Sequence, residues 1–258
     1  MTGKTDTGMV RDHNEDCFLI VPESGIAILA DGMGGHLAGE VASAMAIDRV
    51  THYLLNAFAV SQREDSTNGN GTSFESTALV EAIKSANTAI HDASMSRPEQ
   101  SGMGTTIVAA AFHDNTLTVA HVGDSRLYRY RNGVLSQVTE DHSMVQELLR
   151  RGLMTPEEAR TSLNRNLVTR ALGIDPMVEV DVREQQYENG DIYLLCSDGL
   201  NDVLTDEQIA AALAQHPDNM DSAAQHLIAE VNANGGPDNV SIVMIRTNGR
   251  FSRAPANG

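Results

Sequence analysis

The sequence is poor in cysteine and aromatic residues and has no tryptophan, and what it lacks excludes several kinds of protein. Its two cysteines, Cys17 and Cys196, lie far apart and form no Cys-x-x-Cys pair, so neither a disulfide scaffold nor a thiolate zinc site is expected. No window is apolar enough to span a bilayer, and the polar N-terminal segment predicts that a secretory signal peptide is absent. We therefore expect a cytoplasmic protein.

Positive charge is also scarce. The 258 residues include 18 Lys and Arg against 35 Asp and Glu, which gives a formal net charge of −17. Because nucleic acids and anionic membranes attract clusters of Lys and Arg, neither is an expected partner. Metal cations and basic peptides suit the charge better. A hydrophobic content of 41% is enough for a core, and nothing indicates an obligate interface, so we expect a monomer.

Hydrophobic patterning predicts paired helices and strand hairpins, which favours an α+β layered fold with mainly antiparallel sheets over a βαβ alternation. Capping-box patterns at Thr72-x-x-Glu75 and Thr155-x-x-Glu158 predict helix starts. We expect one domain over residues 1–247 and a flexible tail over residues 248–258. The predicted helices are about 38–60, 74–95, 144–172, 206–214 and 222–232, and the predicted strands include 17–21, 25–30, 105–111, 116–122, 127–130, 134–138 and 240–245.

Acidic residues stand at the ends of several predicted strands. Apolar runs end in Asp31-Gly32, in Gly123-Asp124 and in Asp198-Gly199, while Asp238 and the pair Glu15 and Asp16 stand directly before strands. Any one of these acids is ordinary turn chemistry. Together, however, they predict a convergence of like charges, which is costly unless cations neutralise it.

The glycine-rich stretch after Asp31 has two interpretations. Its backbone N–H groups could cradle a phosphate, or Asp31 could bind a metal while Gly32 lets its backbone approach the same ion. The spacing in "GMGGHLAG" does not match G-x-G-x-x-G, and the chain has no G-x-x-x-x-G-K-[ST] motif. Oxygen ligands with few His or Cys nearby favour Mg²⁺ or Mn²⁺ over zinc.

An ordered set of motifs resembles one family. The segments are "VRDHNED", "LADGMGGHLAGEVAS", "SGMGTT", "AHVGDSRLYRY", "TEDHS", "LVTRALG", "LCSDGL" and "GGPDNVSIV", which span residues 10–243. In this order they are similar to the metal-dependent Ser/Thr protein phosphatases of type 2C (PPM), in their compact bacterial form. The resemblance implies a four-layer α-β-β-α sandwich, two antiparallel sheets flanked by helix pairs, with a flap at about 142–172 beside the metal cleft.

The resemblance also implies a ligand set for two central Mn²⁺ or Mg²⁺ ions and a weaker third one. Arg11 resembles the phosphate-binding arginine of the family. The implied metal ligands are Asp31 as the bridge between the two ions, Asp198 and Asp238 on the first ion, Glu15 and the backbone carbonyl of Gly32 on the second, and Asp124 on the third.

The general acid is open at this stage. In animal members of the family a His follows the first Asp-Gly, but here that residue is Met33, which cannot transfer a proton. His36, three residues further on, either takes over this role or only orients its neighbours. Cys17 and Cys196 are expected to be inert core residues, with a redox-sensitive thiol near the metals as the alternative.

The implied activity is hydrolysis of phosphoserine and phosphothreonine by attack of a metal-bridging water. It needs no covalent intermediate, and the chain has no Cys-x₅-Arg loop. The expected partners are phosphorylated proteins and a bacterial, eukaryotic-like Ser/Thr kinase whose action the enzyme reverses. The alternatives are an inactive pseudophosphatase that acts as a binding module, and a phosphatase of the same fold for an anti-sigma-factor antagonist or a small phosphometabolite.

Overall fold

The structure, a computed structural model, describes residues 1–34, 38–60, 72–160, 162, 164 and 166–252. Seven helices occur in this part of the chain: α1 (Ala38–Val60), α2 (Phe74–Ser96), α3 (Met144–Arg150), α4 (Pro156–Arg160), α5 (Asp198–Asn201), α6 (Asp206–Gln215) and α7 (Met220–Ala233). Eleven strands accompany them: β1 (Thr2–Asp6), β2 (Asp16–Val21), β3 (Ile26–Met33), β4 (Gly104–Thr105), β5 (Ile107–His113), β6 (Thr116–Val122), β7 (Arg126–Arg131), β8 (Val134–Gln137), β9 (Asp181–Gln186), β10 (Ile192–Cys196) and β11 (Val240–Arg246).

The strands form two sheets in which neighbouring strands are antiparallel. One sheet has the order β1-β11-β10-β7-β8, and the other has the order β2-β3-β5-β6-β9, with β4 paired to β3. The Asn132-Gly133 turn joins β7 to β8, as its residues predict, and both central residues have positive φ.

Three hydrophobic clusters define the layers. The first packs α1 and α2 against the outer face of the β2–β9 sheet, and the second packs α6 and α7 against the outer face of the other sheet. The third lies between the two sheets and joins side chains such as Leu29 and Phe112 to Tyr193 and Val243. This arrangement confirms the α-β-β-α sandwich.

Strand β3 shows how the layers place a polar site. Ile26, Ile28 and Ala30 belong to the helix-facing cluster, whereas Ala27 and Leu29 belong to the cluster between the sheets. Because successive side chains of a strand point to opposite faces, an apolar run without alternation is required where both faces are covered. The run ends at Asp31, so this strand delivers a carboxylate to the edge of the sandwich.

The elements differ from the sequence prediction in several places. The helical stretch predicted over 144–172 is too long, because α3 is followed by Gly152 at φ +66° and α4 ends at Arg160. The start of α4 confirms the capping box at Thr155 and Glu158, whose backbone N–H groups donate to each other's side chains. Ser73 rather than Thr72 caps α2, with its hydroxyl accepting a hydrogen bond from the N–H of Ser76. Strands β1 and β4 were not predicted, because β1 is polar and β4 has only two residues.

The chain beyond β11 is partly held by the domain. Phe251 pairs with Asp114 and packs against the cluster between the sheets, and the Arg250 guanidinium lies 2.7 Å from the Asp114 carboxylate. The described part of the predicted tail therefore contacts the domain, while residues 253–258 lie outside the described residues. In the part of the chain that the structure covers, no helix combines the length and apolar character needed to cross a bilayer.

Candidate metal centre

The predicted acidic residues meet at one edge of the sandwich. Asp16 at the start of β2 lies opposite Asp31 near the end of β3 in the antiparallel register. In the other sheet, β10 ends just before Asp198 while β11 begins just after Asp238, and these two strands are also paired. The end of β6 brings Asp124 to the same edge, since its last residue, Val122, pairs with the first residue of β5.

Asp31 lies at the centre of this group. Burial raises the pKa of its carboxyl well above the ordinary value, and nearby carboxylates raise it further, in the order Asp16, Asp198, Asp124 and Asp238. Four other acids are thus close enough to repel its charge. The structure brings together the predicted ligands Asp31, Asp198, Asp238 and Asp124, and the charge that they would carry together has to be neutralised.

Two neighbouring acids also have raised pKa values. Burial, followed by the charge of Asp124, raises the pKa of Asp198 well above its usual range. Burial, followed by the negative charge of Asp141, raises the pKa of Asp124 to about 7, although the positive charge of Arg126 lowers it. Carboxyls with such pKa values hold protons unless a cation replaces them.

Glu15 sits in a space that two glycines make. An added Cβ on Gly39 would lie 2.6 Å from the carboxylate of Glu15. An added Cβ on Gly32 would lie 2.1 Å from the carbonyl oxygen of Gly39 and 2.7 Å from that of Glu15. Our explanation of Gly32 by the approach of a metal is therefore incomplete, because its missing side chain makes room for the start of α1 and the backbone of Glu15.

Asp16 is a site residue that the predicted ligand set omits. Burial raises the pKa of its carboxyl to about 6, while hydrogen bonds from Ser241 and Ser197 act in the opposite direction. The Ser197 hydroxyl donates to Oδ2 over 2.8 Å, and Oδ1 is buried with no hydrogen-bond partner among the described residues. In the sequence, the only indication was its place beside Glu15, directly before a predicted strand.

Arg11 faces the same edge from the loop before β2. Its Nη2 donates to Oδ2 of Asp238 over 2.6 Å, and its side chain is 52% exposed. Burial alone would lower the pKa of Arg11, but the charge and hydrogen bond of Asp238 raise it. The guanidinium is therefore charged and open to solvent, as a phosphate-binding group has to be.

Asn239 holds the loop that carries Arg11 and Glu15. Its side-chain oxygen accepts the N–H of Glu15 over 2.8 Å, and its amide nitrogen donates to the carbonyls of Thr7 and His13, both over 2.9 Å. The side chain that follows Asp238 thus fixes the position of the residues on the opposite side of the site.

The donor set suits a hard divalent cation. Among the converging carboxylates, the pKa values of Glu15, Asp31 and Asp198 are raised, and Oε1 of Glu15 is buried with no hydrogen-bond partner in the described part of the chain. Mg²⁺ and Mn²⁺ prefer oxygen ligands and satisfy both features, because their charge offsets the repulsion and their coordination uses the unpaired oxygens.

Two further predictions concern His36 and the cysteines. His36 lies outside the described residues, so its role stays a prediction. Cys196 is fully buried and Cys17 is half-buried, and burial raises the pKa of both thiols. Both cysteines therefore stay protonated near neutral pH, which favours inert core residues over reactive ones.

Comparison with known proteins assigns the family. Residues 10–232 match the sequence profile of the family described as protein phosphatase 2C. The chain belongs to this family. It is accordingly a metal-dependent serine/threonine phosphatase.

The relatives of this phosphatase include bacterial enzymes. It is 36% identical to the serine/threonine phosphatase stp of Listeria innocua, over 95% of this chain and 94% of the relative. The crystal structure of the Mycobacterium tuberculosis phosphatase PstP/Ppp is similar with a TM-score of 0.84 and 38% identity, over 96% and 97% of the two chains. The catalytic domain of PstP in complex with two manganese ions has a TM-score of 0.80 and 39% identity, over 94% and 95% of the two chains.

The raised carboxyl pKa values predict that metal binding by this phosphatase releases protons. Asp16 and Asp124, with pKa values of about 6 and about 7, hold protons at pH 6 that an incoming cation must displace. We expect calorimetric titration with Mn²⁺, in two buffers of different ionisation enthalpy, to show more proton release and weaker binding at pH 6 than at pH 8. Binding that tightens as the pH falls would contradict this assignment.

Proposed function

We propose that this phosphatase removes phosphate from phosphoserine and phosphothreonine residues of proteins, using two Mn²⁺ or Mg²⁺ ions at the carboxylate edge. The observation that carries the proposal is the convergence of buried acids on Asp31, whose pKa is raised by burial and by four neighbouring carboxylates. When bound, such ions lower the pKa of a coordinated water and neutralise charge on the phosphate. No protein nucleophile is then needed.

The protein residues have distinct roles in this proposal. Asp31 would lie between the two ions, since it is the carboxylate on which the others converge. Asp198 follows β10 and Asp238 precedes β11, and these two strands are paired. Both carboxylates would complete the coordination of the first ion. Glu15 and the carbonyl of Gly32 would hold the second, and Asp124 would hold a weaker third ion at the end of β6.

Arg11 would bind and orient the phosphate. It donates one hydrogen bond to Asp238, and the guanidinium has further N–H groups on an exposed side. A planar guanidinium can grip two phosphate oxygens at once, which holds the phosphorus in line for attack. The ion pair with Asp238 also ties this orientation to a proposed metal ligand.

The described site does not favour the alternatives. All five predicted acidic ligands are present. Buried acids that repel one another destabilise a protein, and an inactive binding module would gain no metal-dependent activity in return. No feature of the described residues favours a small phosphometabolite over a phosphoprotein.

The wider setting is also part of the proposal. Residues 1–247 would form one catalytic domain with residues 142–172 as its flap, and the enzyme would act in the cytoplasm. A phosphatase of this class consumes the product of a protein Ser/Thr kinase, so such a kinase must supply its substrates. Deleting the gene should then raise the phosphothreonine content of cytoplasmic proteins, and unchanged levels would count against this setting.

The direct experiment is hydrolysis of a phosphothreonine peptide with added Mn²⁺. Phosphate release should stop when a chelator is added and return with excess Mn²⁺. Activity that survives exhaustive chelation would refute the metal mechanism, and absence of activity with every phosphopeptide and metal would refute the proposed function.

Asp198→Asn tests the ligand of the first ion. The amide keeps the shape but removes a charge, so the metal is displaced and turnover should fall by about a hundredfold or more. The exposed Asp48→Asn on α1 is the matched control and should retain full activity. Near-normal turnover of Asp198→Asn in saturating Mn²⁺ would mean that Asp198 is not a ligand.

Arg11→Ala tests phosphate binding. The change should raise KM and lower kcat, with a loss in kcat/KM of about a hundredfold, because orientation and charge stabilisation disappear together. The number of bound Mn²⁺ ions should stay the same. The exposed Arg49→Ala serves as the charge-matched control, and unchanged KM and kcat in Arg11→Ala would make Arg11 a structural residue.

Asp124→Ala tests the weaker ion. A weakly held cation has few protein ligands and keeps many waters, so its occupancy should depend steeply on metal concentration. The variant should keep the central pair and the fold but lose much of its turnover, with a defect that varies with added Mn²⁺. Equal ion counts by calorimetry and parallel activity curves for both proteins would assign Asp124 a turn or ion-pair role.

A further inference from the structure

Two buried histidines and an aspartate form a second polar cluster next to the metal centre. His121 on β6 and His142 before α3 stack with ring centroids 4.6 Å apart, and Nε2 of His142 lies 3.4 Å from Oδ2 of Asp181 on β9. One ligand atom from each of the three residues lies within 4.8 Å of the others. Histidine and carboxylate ligands at this spacing are typical of a transition-metal site.

The hydrogen bonds around the rings argue against a metal. The N–H of Gly123 donates to Nδ1 of His142 over 3.0 Å, so this nitrogen carries no proton. The proton of the neutral ring is then on Nε2, which faces Asp181. A metal-binding histidine needs the reverse, a bare nitrogen towards the ion and an N–H that donates on the other side.

Arg170 already supplies the positive charge at this cluster. Its Nη1 donates to Oδ1 of Asp181 over 2.8 Å. The 3.1 Å between Nη1 and Nε2 of His142 then joins two N–H donors and is a close contact, not a hydrogen bond. The carboxylate of Asp181 is therefore already neutralised by a guanidinium. We interpret the cluster as a hydrogen-bonded support instead.

His142 holds the peptide that precedes Asp124. Its Nδ1 accepts the N–H of Gly123, and its backbone N–H donates to the carbonyl of Gly123 over 3.0 Å. Both backbone polar groups of Gly123 are therefore hydrogen-bonded to His142. Its own carbonyl accepts the N–H of Thr169 over 2.8 Å. Gly123 has φ +107°, and an added Cβ would lie 2.6 Å from Thr106, so this turn requires glycine.

The same contacts continue to the centre of the site. The hydroxyls of Ser125 and Thr106 lie 2.7 Å apart, and the Thr106 hydroxyl accepts the N–H of Asp31 over 3.1 Å. The N–H of Thr106 donates in turn to the carbonyl of Asp31 over 2.8 Å. Movement of the Gly123–Ser125 segment is thus linked by hydrogen bonds to Asp31.

The ring of His142 is suited to a permanent acceptor role. Burial lowers the pKa of the ring to about 4, and the electrostatic effects of His121 and Arg170 act in the same direction. The ring therefore stays neutral at neutral pH, and Nδ1 keeps its lone pair for Gly123.

We propose that His142 is a positioning residue for the weaker metal site: through Nδ1 it fixes the Gly123–Asp124 peptide and so sets the affinity of Asp124 for the third divalent cation. The inference rests on the proposed metal role of Asp124. It also links the flap to the metal centre, because the residue that holds Asp124 lies at the start of the flap.

Two substitutions separate positioning from simple support. In His142→Asn the amide oxygen takes the place of Nδ1 and can accept from Gly123, whereas in His142→Gln the amide reaches the place of Nε2 and leaves Gly123 without its acceptor. Both remove the ring and its stack on His121. We expect His142→Gln to raise the Mn²⁺ concentration for half-maximal activity by about tenfold, since a buried donor loses its partner, and His142→Asn to stay within about twofold of the wild type.

Two measurements do not depend on activity. Calorimetry should show the tightly bound ions unchanged in both variants and the weak Mn²⁺ ion weakened only in His142→Gln. Nitrogen-15 NMR of the metal-free wild type should show a proton on Nε2 and none on Nδ1 of His142. This last measurement needs no variant, so it stands even if a substitution prevents folding.

The outcomes distinguish the two levels of the proposal. Equal metal responses of folded His142→Asn and His142→Gln, or a proton on Nδ1, would overturn the positioning role. Micromolar Zn²⁺ binding that His142→Asn abolishes would show that the cluster is a metal site and would also overturn it. If Asp124→Ala binds as many ions as the wild type, the proposed role of Asp124 fails, while phosphopeptide hydrolysis with Mn²⁺ would still support the proposed function.

Discussion

The repulsion among buried carboxylates around Asp31 is the constraint on which the rest of the site depends. Burial and four neighbouring acids raise the pKa of the Asp31 carboxyl, and the pKa values of Asp198 and Asp124 are raised for the same reasons. Such an arrangement destabilises a metal-free protein and favours divalent cations, because only their charge relieves every carboxylate at once. The fold therefore keeps the proposed ligands close together at the expense of stability without metal.

The sandwich is what makes this closeness tolerable. The strands that carry the acids are covered on both faces, and their neighbours hold the carboxylates at a single edge. Gly32 and Gly39 let the start of α1 approach the backbone and carboxylate of Glu15. Backbone packing and the proposed metal site use the same few residues, so a substitution at either glycine would disturb both.

The sequence predicts much of the fold and the site for identifiable reasons. Asp31, Asp198 and Asp238 could be found because long apolar runs end or begin beside them, and the motif order placed them in one family. Asp16 was not assigned, since only its pairing with Asp31 reveals its position. The helical stretch predicted over 144–172 was too long, because charge and apolar spacing do not show where a glycine with positive φ ends α3. The contacts of His142 join segments that are distant in sequence, so no local sequence pattern predicts them.

The central claim is that two divalent cations bind on either side of the Asp31 carboxylate. Diffraction at the manganese absorption edge, from crystals of this protein grown with Mn²⁺, locates the ions without any assumption about mechanism. The account predicts two strong anomalous peaks that share Asp31 as a ligand, one beside Asp198 and Asp238 and the other beside Glu15 and Gly32. Manganese peaks elsewhere, with none in contact with Asp31, would contradict it.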